Sequence, residues 1–205
     1  MLIILDYGIG NLSSIHKMFE RAGVEARISG DPAEVVKATQ LLLPGMGNFD
    51  NCMEQFHSSG LRPIVEQKAW DEKIPVLGIC VGLQMMMEKS EEGNEKGLGW
   101  IKGPTIGFDK TRLPLSCKVP NMGWLNVKAM KTSKLWADLG DSRFYFAHSY
   151  FVEPTDREDI LLTAEYGYTI PVGIERDNLL GVQFHPEKSH RFGMQLLKNF
   201  ATNYR

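Results

Sequence analysis

The sequence predicts a single α/β domain over residues 1–205, with a mostly parallel central sheet flanked by helices. Strand-like segments in the first half are apolar throughout, as strands covered on both faces are. These segments alternate with helical segments, which is typical of parallel sheets. One strand runs directly into the G-x-C-x-G sequence of residues 78–82, which predicts a strand, a nucleophile elbow and a helix in succession.

The chain begins with a short apolar run, Leu2–Leu5, which predicts a buried strand. The helix that follows has Ser13 or Ser14 as its predicted N-cap, and Gly23 is expected to end it. Residues 24–28 predict the second strand.

Five further elements complete the first half. Asp31-Pro32 combines a capping residue with a proline in the preferred order and therefore predicts a short helix. Residues 41–43 predict a third strand, which ends in the glycine turn of residues 44–47, and residues 49–56 begin another helix. Residues 75–79 predict a fourth strand leading to Cys80 and a helix that continues to about Lys89.

The second half carries shorter strand-like segments, at residues 144–147, 160–164, 172–175 and 179–184. A glycine-rich loop surrounds Trp100, and Cys117 is expected in a strand. Asp177-Asn178 predicts a hairpin turn, and the chain ends in a helix that carries Leu196 and Phe200. We find no internal repeat and no linker, so one domain is expected.

Composition excludes several classes of function. The chain has 23 basic and 25 acidic residues and lacks a Lys/Arg cluster, so neither nucleic acid nor an anionic membrane is an expected partner. The longest apolar stretch is shorter than the roughly 20 residues that cross a bilayer. Three unevenly spaced cysteines, Cys52, Cys80 and Cys117, do not suggest a disulfide framework, so we expect a reducing cytoplasm.

Cys80 is the strongest candidate for a catalytic nucleophile. A sharp turn between strand and helix forces this residue into a strained conformation, and the flanking glycines remove side chains that would collide there. The sulfur is thereby presented at the carboxyl end of the sheet, and the helix N-terminus behind it favours the thiolate. Cys52 and Cys117 lack such a setting and are expected to be structural.

His185 is the candidate base, and Glu187 is the candidate orienting carboxylate. Pro186 forces His185 into extended geometry, and in an extended chain residues two apart point the same way. Glu187 is therefore expected to reach the second imidazole nitrogen and complete a Cys-His-Glu triad. A metal site of His185, Glu187 and His190 is the alternative, which Pro186 disfavours because it interrupts a helix.

A negatively charged oxygen develops during acyl transfer, and backbone N–H groups must stabilise it. Val81 follows the nucleophile and is expected to supply one such donor. The glycine turn after the third strand, with Met46 and Gly47, is expected to supply the second.

Three segments carry a resemblance to a known family: Pro-Gly-Met-Gly at residues 44–47, Gly-Ile-Cys-Val-Gly-Leu-Gln at 78–84, and Gln-Phe-His-Pro-Glu-Lys-Ser at 183–189. Together they resemble the class I glutamine amidotransferases along essentially the whole chain. Residues 6–12, 120–124, 144–150 and 186–189 are most similar to the glutaminase subunits of imidazole glycerol phosphate synthases, which belong to histidine biosynthesis.

The resemblance implies that Cys80 attacks the side-chain amide of glutamine and that His185 relays the proton to the departing ammonia. It also implies substrate-binding roles for Gly47, Gln84, Ser149 and Tyr150. The implied partner is a (β/α)₈-barrel cyclase subunit in a heterodimer, which uses the ammonia, and no metal or cofactor is implied. The residues implied to face this partner are Asn11, Trp124, Tyr145 and Lys188.

Other functions remain open from the sequence. Many family members have histidine and asparagine where this chain has Asn121 and Leu125, and both positions lie in the segment implied to face the partner. A paralogous amidotransferase that supplies ammonia for amidino-sugars of surface polysaccharides is therefore an alternative. A cysteine hydrolase or peptidase on a similar elbow fold is another.

Overall fold

The structure, a computed structural model, describes residues 1–204, and Arg205 of the predicted domain lies outside the described residues. The large sheet consists of β1 (Leu2–Leu5), β2 (Ala26–Ser29), β3 (Gln40–Gly45), β4 (Val76–Cys80), β7 (Asn121–Ala129), β8 (Ser142–His148), β10 (Ile160–Tyr166), β11 (Tyr168–Arg176) and β12 (Leu179–Val182). A small second sheet consists of β5 (Lys89–Ser90), β6 (Pro104–Gly107) and β9 (Tyr150–Val152). The helices are α1 (Leu12–Arg21), α2 (Pro32–Val35), α3 (Phe49–Ser58), α4 (Arg62–Trp70), α5 (Val81–Met85) and α6 (His190–Asn203).

The predicted α/β fold with a parallel core is confirmed. The large sheet has the order β2-β1-β3-β4-β12-β11-β10-β7-β8, and the strands from β2 to β12 in this order run parallel. β1, β3, β4 and β12 are buried along their whole lengths, which explains their uninterrupted apolar sequences. Gly45 pairs with Cys80 in register, so the carboxyl ends of β3 and β4 meet at one edge.

The second half of the chain extends this sheet with antiparallel strands. β11 pairs with β12, β10 with β11, β7 with β10, and β8 with β7, all antiparallel. The predicted turn at Asp177-Asn178 joins β11 to β12, and Asp177 has the positive φ (53°) that such a turn requires. The amide of His185 donates to the carbonyl of Tyr145 at 2.9 Å, which ties the end of the parallel core to β8.

Helix boundaries agree with the prediction in some places and not in others. Asp31 caps α2 by accepting from the amide of Ala33 at 2.9 Å, and Gly23, with φ of 71°, follows the end of α1, both as predicted. The predicted cap at Ser13 or Ser14 is wrong, because α1 begins at Leu12 after Asn11.

The helix after Cys80 was expected to reach about Lys89, but α5 ends at Met85. The carbonyls of Met85, Met86 and Met87 accept amides from residues 98–101, so the loop around Trp100 replaces the hydrogen bonds that would continue the helix. Lys89 and Ser90 form β5 instead.

Two elements had no clear signal in the sequence, and one residue was misplaced. α4 has no side-chain N-cap and only a weak separation of apolar and polar faces. In β7 only Asn121 and Val127 are buried, so the strand lacks the apolar run that marks the parallel strands. Cys117 lies in a loop rather than in the expected strand.

No helix within residues 1–204 combines the length and apolar character that a membrane span requires.

Candidate active site

Cys80 ends β4 and immediately precedes α5, at an elbow in the backbone. Its φ of 55° and ψ of −113° lie in a region that residues with a side chain rarely occupy. A Cβ on Gly82 would lie 2.0 Å from the carbonyl oxygen of Leu43, and one on Gly78 would lie 2.8 Å from the backbone of Gly82. The elbow thus forms because glycines let α5 approach β3 and β4 at backbone distance.

His185 and Glu187 follow the end of β12 and point toward the elbow. His185 Nδ1 lies 2.8 Å from Glu187 Oε1, and the Cys80 thiol is close enough to the same ring to influence its charge. His185 is extended, as Pro186 predicted, but Glu187 sits in a 3₁₀ turn, Pro186–Lys188. The prediction that Glu187 reaches His185 because both lie in an extended chain is therefore wrong. The structure nevertheless brings the side chains of Cys80, His185 and Glu187 together.

Electrostatics in this group favour a charged imidazole. Burial by itself would lower the pKa of His185, but hydrogen bonds and opposite charge from Cys80 and Glu187 outweigh burial and raise it to about 10. His185 is therefore protonated at neutral pH, and an imidazolium stabilises a thiolate beside it.

Gln183 and Ser189 support the triad, a role that no pattern in the sequence predicted for either residue. Gln183 is fully buried, and its amide Nε2 lies 3.8 Å from the Cys80 sulfur. The Ser189 hydroxyl accepts from the amide of Tyr145 at 3.0 Å and donates to the carbonyl of His185 at 2.6 Å. Ser189 therefore fixes the backbone of the His185 turn against β8.

A cavity of about 260 Å³ opens beside the Cys80 sulfur. It is smaller than the roughly 300–1,000 Å³ of typical drug-sized sites, so it suits a small substrate rather than a polypeptide. Its lining includes the predicted residues Met46, Gly47, Cys80, Val81, Gln84, Ser149, Tyr150, His185 and Lys188. The candidate oxyanion donors and the candidate substrate-binding residues thus surround one space.

Two hydrogen bonds hold the Gln84 side chain in one orientation within this lining. Its Nε2 donates to the carbonyl of Tyr150 and to the side-chain oxygen of Gln183, both at 3.1 Å. Because both N–H groups are used, the side-chain oxygen of Gln84 is the group left for a substrate.

Two further lining residues were not expected from the sequence. Glu92 brings a carboxylate to the cavity, and burial is the main reason that its pKa is raised. His148 is buried, and burial lowers its pKa to about 4, so it is neutral at pH 7. Its Nδ1 donates to the carbonyl of Tyr150 at 2.9 Å, and its Nε2 accepts from the side-chain Nδ2 of Asn121 at 3.0 Å.

Three of the residues implied to face a partner, Asn11, Trp124 and Tyr145, lie outside the cavity, whereas Lys188 also lines it. Trp124 and Tyr145 are adjacent, with ring centroids 6.1 Å apart, and the Lys188 ammonium lies 5.7 Å from the Tyr145 ring centroid. Trp124 is 38% exposed, although its ring stacks on His190. Asn11 is exposed at the start of α1, which packs against the Pro186–Lys188 turn. These four residues therefore lie on the surface around the triad.

The alternative metal site is wrong on geometry. The Glu187 carboxylate binds His185, and the His190 ring stacks on Trp124, so the three side chains do not converge. Within the described part of the chain, no group of three or more His, Cys, Asp or Glu residues is placed to hold a metal ion.

Comparison with known proteins gives consistent results. The family model for class-I glutamine amidotransferases matches residues 3–204. Imidazole glycerol phosphate synthase subunit HisH 2 of Methanococcus maripaludis is 46% identical over 98% of both chains. The protein of the same name from Pseudomonas aeruginosa is 42% identical over 98% of both chains. PurLQS from Thermotoga maritima shares the fold, with a TM-score of 0.72 and 16% identity over 99% of this chain and 97% of that one.

Proposed function

The chain belongs to the class-I glutamine amidotransferase family, and we propose that it is the glutaminase subunit of an imidazole glycerol phosphate synthase in histidine biosynthesis. The similarity to the two HisH proteins, at 42–46% identity over nearly the full length, carries this proposal. A thiol and a hydrogen-bonded imidazole–carboxylate pair beside one small cavity support it independently. Residues 1–205 then work as one catalytic domain.

In the first half-reaction, the Cys80 thiolate attacks the side-chain amide carbon of glutamine. Negative charge moves to the amide oxygen, where the N–H groups of Val81 and the Met46-Gly47 turn stabilise it. The His185 imidazolium gives its proton to the amide nitrogen, the C–N bond breaks, and ammonia leaves. A glutamyl thioester on Cys80 remains, with His185 neutral.

In the second half-reaction, neutral His185 takes a proton from water while the water oxygen attacks the thioester carbon. The C–S bond breaks, glutamate is released, and the thiolate and imidazolium return. Glu187 keeps the imidazole in the required tautomer and stabilises its charge in both steps.

The cavity lining supports recognition of glutamine as an amino acid. Gly47, Gln84, Ser149 and Tyr150 supply backbone and side-chain groups around the substrate. Glu92, the acidic residue in the lining, binds the α-ammonium group.

The ammonia is used by a cyclase subunit with a (β/α)₈ barrel, with which this chain forms a heterodimer. Asn11, Trp124, Tyr145 and Lys188 form the contact around the triad. The three free cysteines suit a reducing compartment, so we propose that the heterodimer works in the cytoplasm.

Glutamate release, measured with and without the cyclase subunit, tests this function. Cys80→Ala should abolish synthesis of imidazole glycerol phosphate from glutamine, whereas added ammonium should still support the cyclase. Loss of both activities would indicate a structural role for Cys80 instead. Complementation of a histidine auxotroph separates the histidine pathway from the polysaccharide alternative, which neither of the two relatives described above supports.

A further inference from the structure

Two carboxylates tie the first turn of α3 to the loop of residues 92–95. The Asp50 side chain on α3 accepts from the amides of Asn94 and Glu95, both at 2.9 Å. In the opposite direction, Glu92 Oε2 accepts from the amide of Phe49, the first residue of α3, at 2.9 Å. These three bonds form a reciprocal clamp between residues 49–50 and residues 92–95.

Gly93 shows how closely the clamp is fitted. A Cβ at this position would lie 1.9 Å from Asp50 Oδ1 and 2.6 Å from Oδ2. The carboxylate could move away only by giving up its bonds to Asn94 and Glu95. A side chain at position 93 and a carboxylate held at position 50 therefore exclude each other.

The clamp lies next to the glutamine site. Glu92 lines the cavity, and α3 follows directly from the turn that contains Met46 and Gly47. One oxygen of Glu92 is bound to the Phe49 amide, so the other is available to a substrate. The position of that oxygen depends on where the 92–95 loop is held.

We propose that Asp50 is a positioning residue: by holding the 92–95 loop, it aims the Glu92 carboxylate at the α-ammonium group of glutamine. This inference rests on the proposed glutaminase function. Asp50 acts through Glu92 and touches no substrate, so its loss should weaken binding of the ammonium group selectively.

The electrostatic effect of Asp50 has the opposite sign. After burial, the negative charge of Asp50 contributes to the raised pKa of Glu92. Removing that charge would lower this pKa and keep Glu92 ionised, which by itself would improve ammonium binding. If Asp50 variants bind glutamine more weakly, the cause is therefore the changed position of the Glu92 carboxylate and not the lost charge of Asp50.

The experiment compares glutamine with 4-carbamoylbutanoate, which is glutamine with hydrogen in place of the α-ammonium group. KM for glutamine and the competitive inhibition constant of 4-carbamoylbutanoate are measured in the full chain with its partner present. In Asp50→Ala we expect KM to rise on the order of tenfold, the loss of about one charge-assisted hydrogen bond, with the inhibition constant unchanged. Asp50→Asn, which keeps one acceptor oxygen, should show a smaller rise.

Glu54→Ala is the matched control, because Glu54 is an acidic residue on the exposed face of the same helix. It should leave both constants as in the wild type. Glu92→Gln should reproduce the selective loss of Asp50→Ala, since both changes act on the same carboxylate.

Gly93→Ala provides a second measurement from the other side of the clamp. It should raise KM for glutamine selectively, as Asp50→Ala does. In the double variant, Asp50→Ala with Gly93→Ala, the carboxylate that the new methyl group would strike is absent. The rise in KM should therefore be clearly smaller than the product of the rises in the two single variants.

Equal weakening of glutamine and 4-carbamoylbutanoate would mean a general structural defect and would overturn the proposal. Unchanged constants in Asp50→Ala would overturn it as well, while leaving the glutaminase function intact. A wild-type chain that releases no glutamate even with its partner would overturn both.

Discussion

At the scale of single residues, His185 is held in its charged form by two partners. Its pKa of about 10 lies above the value of about 6.5 for a free histidine, so the folded state binds the proton more tightly than the unfolded state. The resulting stabilisation is complete below pH 6.5 and is lost as the pH rises toward 10. The same proton is the one that the departing ammonia needs, so stability and activity should decline over the same alkaline range.

Glu187→Gln should lower the pKa of His185, because it removes an opposite charge that raises it. We expect the alkaline limb of kcat/KM for glutamine to move to lower pH by about one unit or more, with reduced activity throughout. The pH–rate profiles of wild type and variant check this. An alkaline limb at the same pH in both would show that Glu187 does not set the charge of His185.

His148 has the opposite property, because burial keeps it neutral. Its pKa of about 4 means that the unfolded chain takes up a proton below pH 6.5 while the folded chain does not. Stability should therefore be full above pH 6.5 and fall by roughly 3 kcal/mol as the pH approaches 4, by the usual conversion of pKa shifts.

In His148→Gln the acid-sensitive group is absent. The difference in unfolding free energy between wild type and variant, from urea titrations, should shrink between pH 7 and pH 4.5. A difference independent of pH would contradict this role of His148.

At the scale of elements, the elbow depends on close contact between α5 and the sheet. Gly82→Ala would place a methyl group 2.0 Å from the Leu43 carbonyl oxygen, which is backbone and cannot rotate away. We expect a loss of about 3 kcal/mol or more in unfolding free energy, together with loss of glutaminase activity as Cys80 is displaced.

Gly107→Ala is the control, because a Cβ there would meet its nearest neighbours at ordinary distances of 3.6–3.7 Å. Thermal or urea unfolding of both variants makes the comparison. If Gly82→Ala were as stable as Gly107→Ala, close packing at the elbow would not be what holds α5 in place.

The elements that sequence reasoning predicted are those with local signals. The apolar run of β1 and the cap of α2 at Asp31 depend on neighbours in the sequence alone. The extent of α5 depends on hydrogen bonds from residues 98–101, and β7 is a strand because β8 and β10 pair with it. Such partners are distant in sequence, so local patterns did not reveal them.

The residues of the site also divide into those with a local signal in the sequence and those without one. Cys80 and His185 each lie at a turn with its own signature, the elbow glycines and Pro186. Glu92, Gln183 and Ser189 do not, because each matters only through contacts that the fold creates. Glu92, for example, reaches the cavity because its loop is tied to α3, more than forty residues earlier in the chain.

At the scale of the whole molecule, the cavity lies where the two halves of the sheet meet. The parallel half supplies Cys80 and His185, and the segment after β8 supplies Ser149 and Tyr150. The bond from the His185 amide to the Tyr145 carbonyl joins the halves directly beside the triad. Because Tyr145 also contacts Trp124 and Lys188, the proposed partner surface lies close to the backbone that carries His185.

Trp124→Ala should therefore weaken binding of the cyclase subunit strongly. A large aromatic residue near the centre of an interface is worth about 2 kcal/mol or more, which is about thirtyfold in Kd. Binding measured by titration calorimetry and glutaminase activity at saturating partner give the two readings. KM for glutamine should change little, because Trp124 does not line the cavity.

Trp70→Ala is the matched control for this test, since Trp70 on α4 is 41% exposed and Trp124 is 38% exposed. It removes the same side chain at similar exposure, from a position where the ring packs against Trp100 and lies under the Lys73 ammonium. Trp70→Ala should leave the affinity for the cyclase subunit unchanged. Equal losses in the two variants would mean that the affinity depends on general stability, and unchanged affinity in Trp124→Ala would place the partner on another face.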